Sequence, residues 1–159
     1  MIAGLTGHQQ IGDKQTIQWV EQQLSILLIA QEVTEGWMSL AIGADQMYAT
    51  LLLRRGLQYN VVLPCERYEE TFSELDRETY HDLLSKAISV VALDFVKPTE
   101  MAFYEAGKQV VNRSEILIAV WDGLAARGLG GTADIVRFAQ SRSKRVLHID
   151  TKTHAVKVI

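Results

Sequence analysis

Residues 115–121 read Glu-Ile-Leu-Ile-Ala-Val-Trp, and Asp122 and Gly123 follow directly. A short and almost unbroken apolar run of this kind predicts a β-strand that is buried on both faces. Such strands are typical of the centre of a parallel sheet, because helices then cover the sheet on each side. The segment therefore predicts an α/β fold with this strand near the middle of the sheet.

Similar short runs of apolar or β-branched residues recur along the chain, and longer stretches with a helical period separate them. This alternation predicts a three-layer, Rossmann-like fold, in which a mostly parallel sheet of about six strands has helices on both faces. The predicted strands are residues 2–5, 37–42, 59–63, 88–93, 115–121 and 146–149, with 155–159 as a candidate edge strand.

The predicted helices carry recognisable start and stop signals. Asp13 is a candidate N-cap for the first helix, and Thr99, one residue after Pro98, is a candidate N-cap for a later one. Gly56 stands where a left-handed residue would end the second helix, which begins near Gly43. The apolar face of the first helix is predicted to contain Ile17, Val20, Leu24, Leu27 and Leu28. Two further helices are predicted over residues 73–86 and 131–141.

The chain has 159 residues, a formal net charge of −3 and one cysteine, Cys65. This length suits a single domain spanning residues 1–159, and no repeat or linker divides it. One cysteine excludes an internal disulfide framework and favours a cytoplasmic protein. The sequence has no export signal and no apolar run near the roughly 20 residues that cross a bilayer, so we expect no membrane contact. The slightly acidic balance argues against non-specific binding of nucleic acid.

The candidate site residues follow the predicted strands. In an open parallel sheet, ligands bind beyond the carboxyl ends of the strands, where the chain enters the helices. The polar residues and glycines at those ends are therefore the predicted ligand-binding residues. They are Gly4, Thr6, Gly7 and His8 after the first strand, Gly43 and Asp45 after the second, Arg67 and Tyr68 after the third, Asp122 after the fifth, and Arg127, Gly130, Gly131 and Thr132 before the last helix.

The most specific of these segments is residues 126–134, Ala-Arg-Gly-Leu-Gly-Gly-Thr-Ala-Asp. Glycines let backbone amides approach an anion closely, and the start of a helix presents unpaired N–H groups with a partial positive charge. Because the Thr132 hydroxyl can add a donor, the segment predicts a cradle for a phosphate or carboxylate group. The alternative is a tight turn from strand to helix that Thr132 caps. The segment matches neither of the standard glycine motifs for nucleotides.

Each of the other candidates also has a structural alternative. His8 either contacts a ligand or is a polar loop residue, and Asp45 either accepts from a ribose hydroxyl or caps its helix. Arg67 with Tyr68 either brackets a base or phosphate or lies in a solvated loop. For Asp122 a functional role is favoured, because a carboxylate at the end of a buried strand needs a polar or charged partner. The histidines lack the spacing of metal ligands, so we expect no metal and no other cofactor.

Five segments that span nearly the whole chain carry a resemblance to a known family. They are Gly4-Leu-Thr-Gly-His8, Ser39-Leu-Ala-Ile-Gly-Ala-Asp45, Leu63-Pro-Cys-Glu-Arg-Tyr68, Ala119-Val-Trp-Asp-Gly123 and Gly130-Gly-Thr-Ala-Asp134. In this order they resemble the small bacterial Rossmann-like proteins of the SLOG superfamily, which includes the lonely-guy cytokinin phosphoribohydrolases and the fold of the DNA-processing protein A. The resemblance implies a Rossmann-like fold, a nucleotide-derived ligand and a homodimer or larger assembly.

The resemblance also bears on catalysis. The lonely-guy enzymes carry the signature Pro-Gly-Gly-x-Gly-Thr-x-x-Glu, whose glutamate serves the cleavage of the N-glycosidic bond of nucleoside monophosphates. Here the residue three positions after Thr132 is Ile135, which cannot carry a proton. The nearest carboxylate is that of Asp134, which is rotated by roughly 100° around the helix. Other members of the superfamily sense nucleotide-derived ligands and do not cleave them. The resemblance to these members implies a binding role, for which the cradle alone is sufficient.

Three functions therefore stand as hypotheses. The first is a domain that binds or senses a nucleotide or nucleotide-derived ligand, with the anionic group on the cradle and assisted by Arg127. The second is an enzyme that hydrolyses or transfers at the N-glycosidic bond of a nucleotide, with Asp122 or Asp134 as the catalytic carboxylate. The third is an interaction module with a vestigial pocket, in which Trp19 or Trp37 mediates self-association or the docking of a partner.

Overall fold

The computed structural model describes residues 1–126 and 128–159, which form a seven-stranded sheet. The strands, in chain order, are β1 (Ile2–Gly7), β2 (Glu35–Met38), β3 (Gln58–Leu63), β4 (Ser89–Ala92), β5 (Ile116–Trp121), β6 (Arg145–Asp150) and β7 (Ala155–Val158). Their order across the sheet is β4-β3-β2-β1-β5-β6-β7, and all pairs are parallel except that of β6 with β7. The predicted fold class is confirmed, and β5 lies near the middle of the sheet.

Helices cover both faces of this sheet. They are α1 (Lys14–Ala30), α2 (Ala44–Arg54), α3 (Glu74–Ser85), α4 (Glu100–Asn112) and α5 (Thr132–Ser141). The first three pack mainly on one face, and α4 and α5 pack on the other. None of the helices in the described part of the chain is long and apolar enough to span a membrane.

The position of β5 explains why its sequence is apolar on both faces. Ile116, Ile118 and Val120 belong to the core that includes α1 and α2, whereas Leu117 and Ala119 pack against α5. None of these five residues is more than 4% exposed. Because successive side chains of a strand point to opposite faces, a polar residue anywhere in this run would be buried.

The predicted helix signals are confirmed at three positions. The Asp13 carboxylate accepts the amide N–H of Thr16 at 2.8 Å, and the Thr99 hydroxyl accepts that of Ala102 at 3.2 Å. Gly56 follows α2 with a φ of +67°, the left-handed conformation that favours glycine. These local interactions fix where α1 and α4 begin and where α2 ends.

Two local predictions are wrong. The strand β2 ends at Met38 instead of continuing to residue 42, because the chain turns at Leu40, whose φ is +56°. On α1, Ile17 is exposed and Thr16 takes the buried position. The Thr16 hydroxyl lies 3.1 Å from Nε2 of His154 in the β6–β7 turn, so a tertiary contact sets this part of the buried face.

The two tryptophans proposed as docking residues have partners within the chain. Trp19 stacks on His154, with the ring centroids 4.7 Å apart. The Trp37 indole donates to the Glu35 carboxylate at 3.1 Å, and the Arg113 guanidinium lies over its ring. Because these contacts already use both rings, Trp19 and Trp37 do not support the docking hypothesis.

Helices α4 and α5 approach each other closely at Gly107. A Cβ at this position would overlap the Ile135 side chain, lying only 2.7 Å from its Cγ1 atom. Glycine weakens the interior of a helix by about 1 kcal/mol relative to alanine, so its presence here has a packing reason. The contact sets the spacing of the two helices on this face of the sheet.

The variant Gly107→Ala tests this close approach. Although alanine favours the helix, we expect a loss of about 1–3 kcal/mol in the free energy of unfolding because the added methyl group overpacks the contact. Urea unfolding measures the change. The double variant Gly107→Ala/Ile135→Val removes the overlapped Cδ1 atom and should recover part of the loss. If Gly107→Ala alone were more stable than the parent, this close contact between α4 and α5 would be contradicted.

Candidate functional site

The connections between strands reverse direction between β1 and β5. From β1 the chain moves outward through β2, β3 and β4, and then crosses back to β5 and moves outward on the other side. The loops that follow β1 and β5 therefore diverge, which leaves a crevice at the carboxyl edge of the sheet. A cleft of about 670 Å³ opens at this point.

The cleft brings together residues that the sequence predicts for four separate loops. The predicted residues that line it are Thr6, Gly7, His8, Asp45, Tyr68, Asp122, Gly130, Gly131 and Thr132. Among the described residues, Gly4, Gly43 and Arg67 are not part of its lining. The predicted residue Arg127 lies outside the described residues. Most of the candidate site thus converges on one cleft.

Gly4 and Gly43 serve close packing instead of lining the cleft. A Cβ on Gly4 would overlap the Ser114 side chain and would lie 2.9 Å from Cγ1 of Val110 on α4. A Cβ on Gly43 would lie 2.7 Å from the carbonyl oxygen of His8. The structure therefore gives both glycines a packing role in place of the predicted ligand contact.

Arg67 and Tyr68 point in different directions and so do not bracket a common space. Arg67 is exposed, has a left-handed φ of +51°, and lies 3.8 Å from the Glu70 carboxylate. Tyr68 is buried and packs edge-on against Phe72 and Tyr80. Burial raises the pKa of the Tyr68 hydroxyl well above its ordinary value. Tyr68 alone of this pair reaches the cleft.

The first amide of the predicted cradle is occupied by a carboxylate of the protein itself. Asp134 accepts the N–H of Gly130 at 3.0 Å and also forms an ion pair with Arg137. An acidic side chain in the first turn of a helix stabilises that helix. The Gly130 amide is therefore not available to a ligand, and Asp134 is held as a cap and not as a catalytic group. This pairing argues against the predicted roles of Gly130 in ligand binding and of Asp134 in catalysis.

The next three amides lie at the wall of the cleft. Gly131 is the N-cap of α5, and Thr132 and Ala133 are its first two residues. Within residues 1–126 and 128–159, no acceptor takes their N–H groups, and the Thr132 hydroxyl has no hydrogen-bond partner. The start of α5 thus brings donors and a partial positive charge to the cleft. Sequence reasoning missed Ala133, because a residue that contributes only its backbone gives no side-chain signal.

The loop after β1 uses part of its backbone within the protein. The His8 N–H donates to the carbonyl of Val120 at 3.0 Å, and the His8 carbonyl accepts the N–H of Ala44 at 3.2 Å. A Cβ on Gly7 would overlap the Cβ of Ala44. These contacts hold Thr6 and Gly7 at the cleft wall but leave the His8 amide unavailable to a ligand.

His8 and Asp122 face each other at the wall of the cleft. Nε2 of His8 lies 4.0 Å from Oδ1 of Asp122, and both side chains are partly exposed. The same Asp122 oxygen accepts the amide N–H of Leu124 at 3.0 Å. The Trp121 indole donates to the Leu124 carbonyl at 2.7 Å and so supports this turn. The Leu124 amide is thus the hydrogen-bond partner of Asp122, and His8 lies at the limit of ion-pair distance.

Asp45 lies at another part of the cleft wall and is buried. Its Oδ2 atom accepts the amide N–H groups of Ser39 at 3.0 Å and of Ala41 at 3.3 Å. These bonds tie the turn after β2 to the start of α2, but neither donor belongs to the helix, so Asp45 holds the turn and does not cap α2. Burial raises the pKa of the Asp45 carboxyl to about 7, although the two hydrogen bonds oppose this shift.

The inner wall of the cleft is apolar. It is formed by Phe103, Ala106, Gly107 and Val110 of α4 together with Ile135 of α5. The position of α5 beside α4 makes this face of α4 border the cleft. An apolar wall of this kind can accept a flat ring.

The polar groups of the cleft carry little positive charge. Its titratable lining residues are His8, Asp45, Tyr68 and Asp122, and no lysine or arginine is among the described lining residues. Residues 1–126 and 128–159 also contain no group of three or more His, Cys, Asp or Glu side chains placed to hold a metal ion. An anionic ligand group would therefore depend on the amides at the start of α5.

The chain resembles known proteins in structure but not in sequence. Neither a protein-family model nor a curated protein sequence matches the chain. Solved structures do match, and they confirm the predicted resemblance at the level of the fold. The chain has the Rossmann-like fold that is also found in DNA processing protein A.

Three solved structures illustrate the likeness. DNA processing protein A from Helicobacter pylori, which binds single-stranded DNA, matches with a TM-score of 0.68 and 15% identity over 93% of this chain and 64% of its own. The Streptococcus pneumoniae protein of the same name matches with 0.67 and 15% over 96% of this chain and 54% of its own. The molybdenum cofactor binding protein of Rippkaea orientalis matches with 0.61 and 15% over 92% and 74%. This chain thus spans about two thirds or less of either DNA processing protein.

The variant Asp45→Asn tests the burial of this carboxyl through the pH dependence of stability. Because the pKa is raised from 3.8 to about 7 in the folded state, folding favours the protonated form. The resulting stabilisation is fully present below about pH 4 and is lost as the pH rises to about 7. We expect the urea midpoint of the parent, relative to that of Asp45→Asn, to fall as the pH rises from about 4 to about 7. The asparagine side chain does not titrate and keeps an acceptor oxygen. Parallel pH profiles would contradict the raised pKa.

Proposed function

We propose that this protein binds or senses a nucleotide or nucleotide-derived small molecule in the cleft between β1 and β5. The observation that carries the proposal is the start of α5, where the amides of Gly131, Thr132 and Ala133 and the Thr132 hydroxyl lie at the cleft wall. Unpaired amides at a helix N-terminus, together with the helix dipole, stabilise a phosphate or carboxylate group. The anionic group of the ligand would lie there.

The rest of the cleft suits the remaining parts of such a ligand. Its volume of about 670 Å³ lies within the range of small-molecule sites. A base or similar ring would lie against the apolar wall near Phe103 and Val110. Asp45 and Asp122, at the polar parts of the wall, would accept hydrogen bonds from sugar hydroxyls. Arg127, between two lining residues, is proposed to assist at the anionic group.

A small molecule suits this cleft better than a nucleic-acid strand does. Strands are bound mainly through rows of lysine and arginine that neutralise phosphates. The described lining of the cleft contains neither residue, and the chain has a net charge of −3. The Helicobacter pylori neighbour binds single-stranded DNA, whereas the Rippkaea orientalis neighbour binds a cofactor. We place the function in the cytoplasm, where a free and buried Cys65 stays reduced.

The variant Thr132→Val tests the anion site with little change in shape. Loss of a hydrogen bond to a charged group costs about 1.5–3 kcal/mol, so we expect roughly a tenfold or greater loss of affinity for AMP. Titration calorimetry with AMP and with inorganic phosphate measures the effect.

The matched control is Thr132→Ser, which keeps the hydroxyl and should bind like the parent. Mass spectrometry of the denatured parent protein should also detect a nucleotide-derived ligand carried over from the expression host. Equal affinity of the valine variant and the parent would contradict the anion site. A parent protein that binds no phosphate-bearing compound would contradict the proposed function.

A second candidate function is favoured by the contact between His8 and Asp122. This pair lies at the cleft wall with its nitrogen and oxygen 4.0 Å apart, so it can exchange a proton or orient a water molecule. In this function the protein hydrolyses or transfers at the N-glycosidic bond of the bound nucleotide, and Asp122 stabilises the positive charge that develops on the sugar. Asp134 plays no part, because Gly130 and Arg137 hold it.

Chromatography of free base tests the second function. The protein is incubated with AMP, NAD and deoxynucleosides, and the parent is compared with Asp122→Asn. The asparagine oxygen can still accept the Leu124 amide, so the turn is kept while the negative charge is lost. An enzyme should show turnover that falls by roughly a hundredfold or more in the variant. Absence of turnover at high protein concentration would exclude this function and leave the binding function.

A further inference from the structure

Tyr68 carries a hydroxyl group that no other part of the described chain uses. The residue begins a short helical turn, Tyr68–Thr71, that follows β3. Only 4% of Tyr68 is exposed, and its ring packs edge-on against Phe72 and Tyr80. Within residues 1–126 and 128–159, its hydroxyl has no hydrogen-bond partner. The packing therefore accounts for the ring of Tyr68 but not for its hydroxyl.

The hydroxyl of Tyr68 faces the cleft. Among the described residues, every side-chain nitrogen or oxygen that is closed off from solvent has a hydrogen-bond partner. Because the Tyr68 hydroxyl has none, it must be in contact with solvent, and the cleft is the space that this residue lines. Burial raises the pKa of the hydroxyl well above its ordinary value, and the charge of Asp45 raises it further. The hydroxyl therefore keeps its proton and can donate it in a hydrogen bond to a ligand.

Asp45 supplies an acceptor at the same part of the cleft. Its Oδ2 atom holds the amides of Ser39 and Ala41, whereas its Oδ1 atom has no partner among the described residues. Asp45 is 5% exposed and lines the cleft, so its free Oδ1 atom also meets the solvent there. A buried polar atom without a partner is costly. A ligand that donates a hydrogen bond to Oδ1 would remove this cost.

These two groups lie across β1 from the start of α5. Asp45 follows β2 and Tyr68 follows β3, whereas α5 follows β5, and β1 separates β2 from β5. Neighbouring strands are about 4.8 Å apart, so β2 and β5 are roughly 10 Å apart. An anion held at α5 does not reach this far by itself. The pair therefore suits a part of the ligand that follows its anionic group.

Two neighbouring hydroxyl groups satisfy both residues at once. One hydroxyl donates to Oδ1 of Asp45, and the other accepts from the hydroxyl of Tyr68. An ammonium group could donate to Asp45 but has no lone pair for Tyr68. A second anionic group would meet the charge of Asp45 without a lysine or arginine among the described lining residues. The 2′- and 3′-hydroxyls of a ribose supply the required pair.

We propose that Tyr68 and Asp45 together bind the 2′- and 3′-hydroxyls of a ribose, so that the cleft takes ribonucleotides in preference to deoxyribonucleotides. This inference rests on the proposed function and adds Tyr68 to it as a specificity-determining residue. A ligand that lacks either hydroxyl leaves a buried polar group of the protein unpaired. Sites built to bind a hydroxyl reject the analogue without it for this reason.

Titration calorimetry with AMP, 2′-deoxy-AMP and 3′-deoxy-AMP tests the inference on the unmodified protein. An unpaired buried group corresponds to a loss of roughly tenfold or more in affinity, so we expect both deoxy compounds to bind that much more weakly than AMP. Equal affinity for the three compounds would overturn this inference and leave the proposed function intact. If none of the three bound, the proposed function would fail, and this inference with it.

The variant Tyr68→Phe tests the residue itself, because it keeps the ring and removes only the hydroxyl. We expect its affinity for AMP to fall by roughly tenfold. Its discrimination against one of the two deoxy compounds should disappear, while Asp45 maintains discrimination against the other.

The matched control is Tyr80→Phe, which makes the same change in the neighbouring ring. Tyr80 is not among the described lining residues, so this variant should keep the affinity and the selectivity of the parent. Circular dichroism and urea unfolding check that both variants fold. If Tyr68→Phe still discriminated against both deoxy compounds as the parent does, the role of Tyr68 would be overturned.

Discussion

The parallel pairing of β1 with β5 is the contact on which the rest of the structure depends. Five consecutive residue pairs, from Ala3 with Ile116 to Gly7 with Val120, join the two strands. The connections that leave these strands run in opposite directions, so their loops separate and the cleft opens between them. The start of α5 and the contact of His8 with β5 both follow from this arrangement. Without it the candidate site residues would lie on different edges.

At the start of α5, one backbone amide stabilises the helix and the next three are proposed to bind the ligand. Asp134 takes the Gly130 amide and stabilises the first turn of the helix, so the helix has a fixed beginning without a ligand. The next three amides are then held in place by a rigid element. A site whose donors are already ordered loses less conformational entropy when a ligand binds. In the proposed function, these amides take the place of the lysines and arginines that the described lining of the cleft lacks.

Sequence predicted the features that depend on neighbours within one element, and it failed where distant contacts decide. Strand order along the chain, the Asp13 cap and the buried face of β5 follow from local periodicity and chemistry. The early end of β2 does not, because the Asp45 carboxylate binds the turn from the following helix. Gly4 and Gly131 are both predicted ligand-binding residues, yet Gly4 packs closely against Val110 of α4, whereas Gly131 is the N-cap of α5 at the cleft. Nor can sequence show that Asp134 folds back onto the cradle.

The central claim is that the amides at the start of α5 hold the anionic group of the ligand. NMR of isotope-labelled protein during titration with AMP tests it most directly. The account predicts saturable shifts of the amide resonances of Gly131, Thr132 and Ala133, with a smaller change at Gly130, whose N–H already donates to Asp134. Saturable shifts confined to residues outside the cleft, with these three amides unchanged, would contradict it.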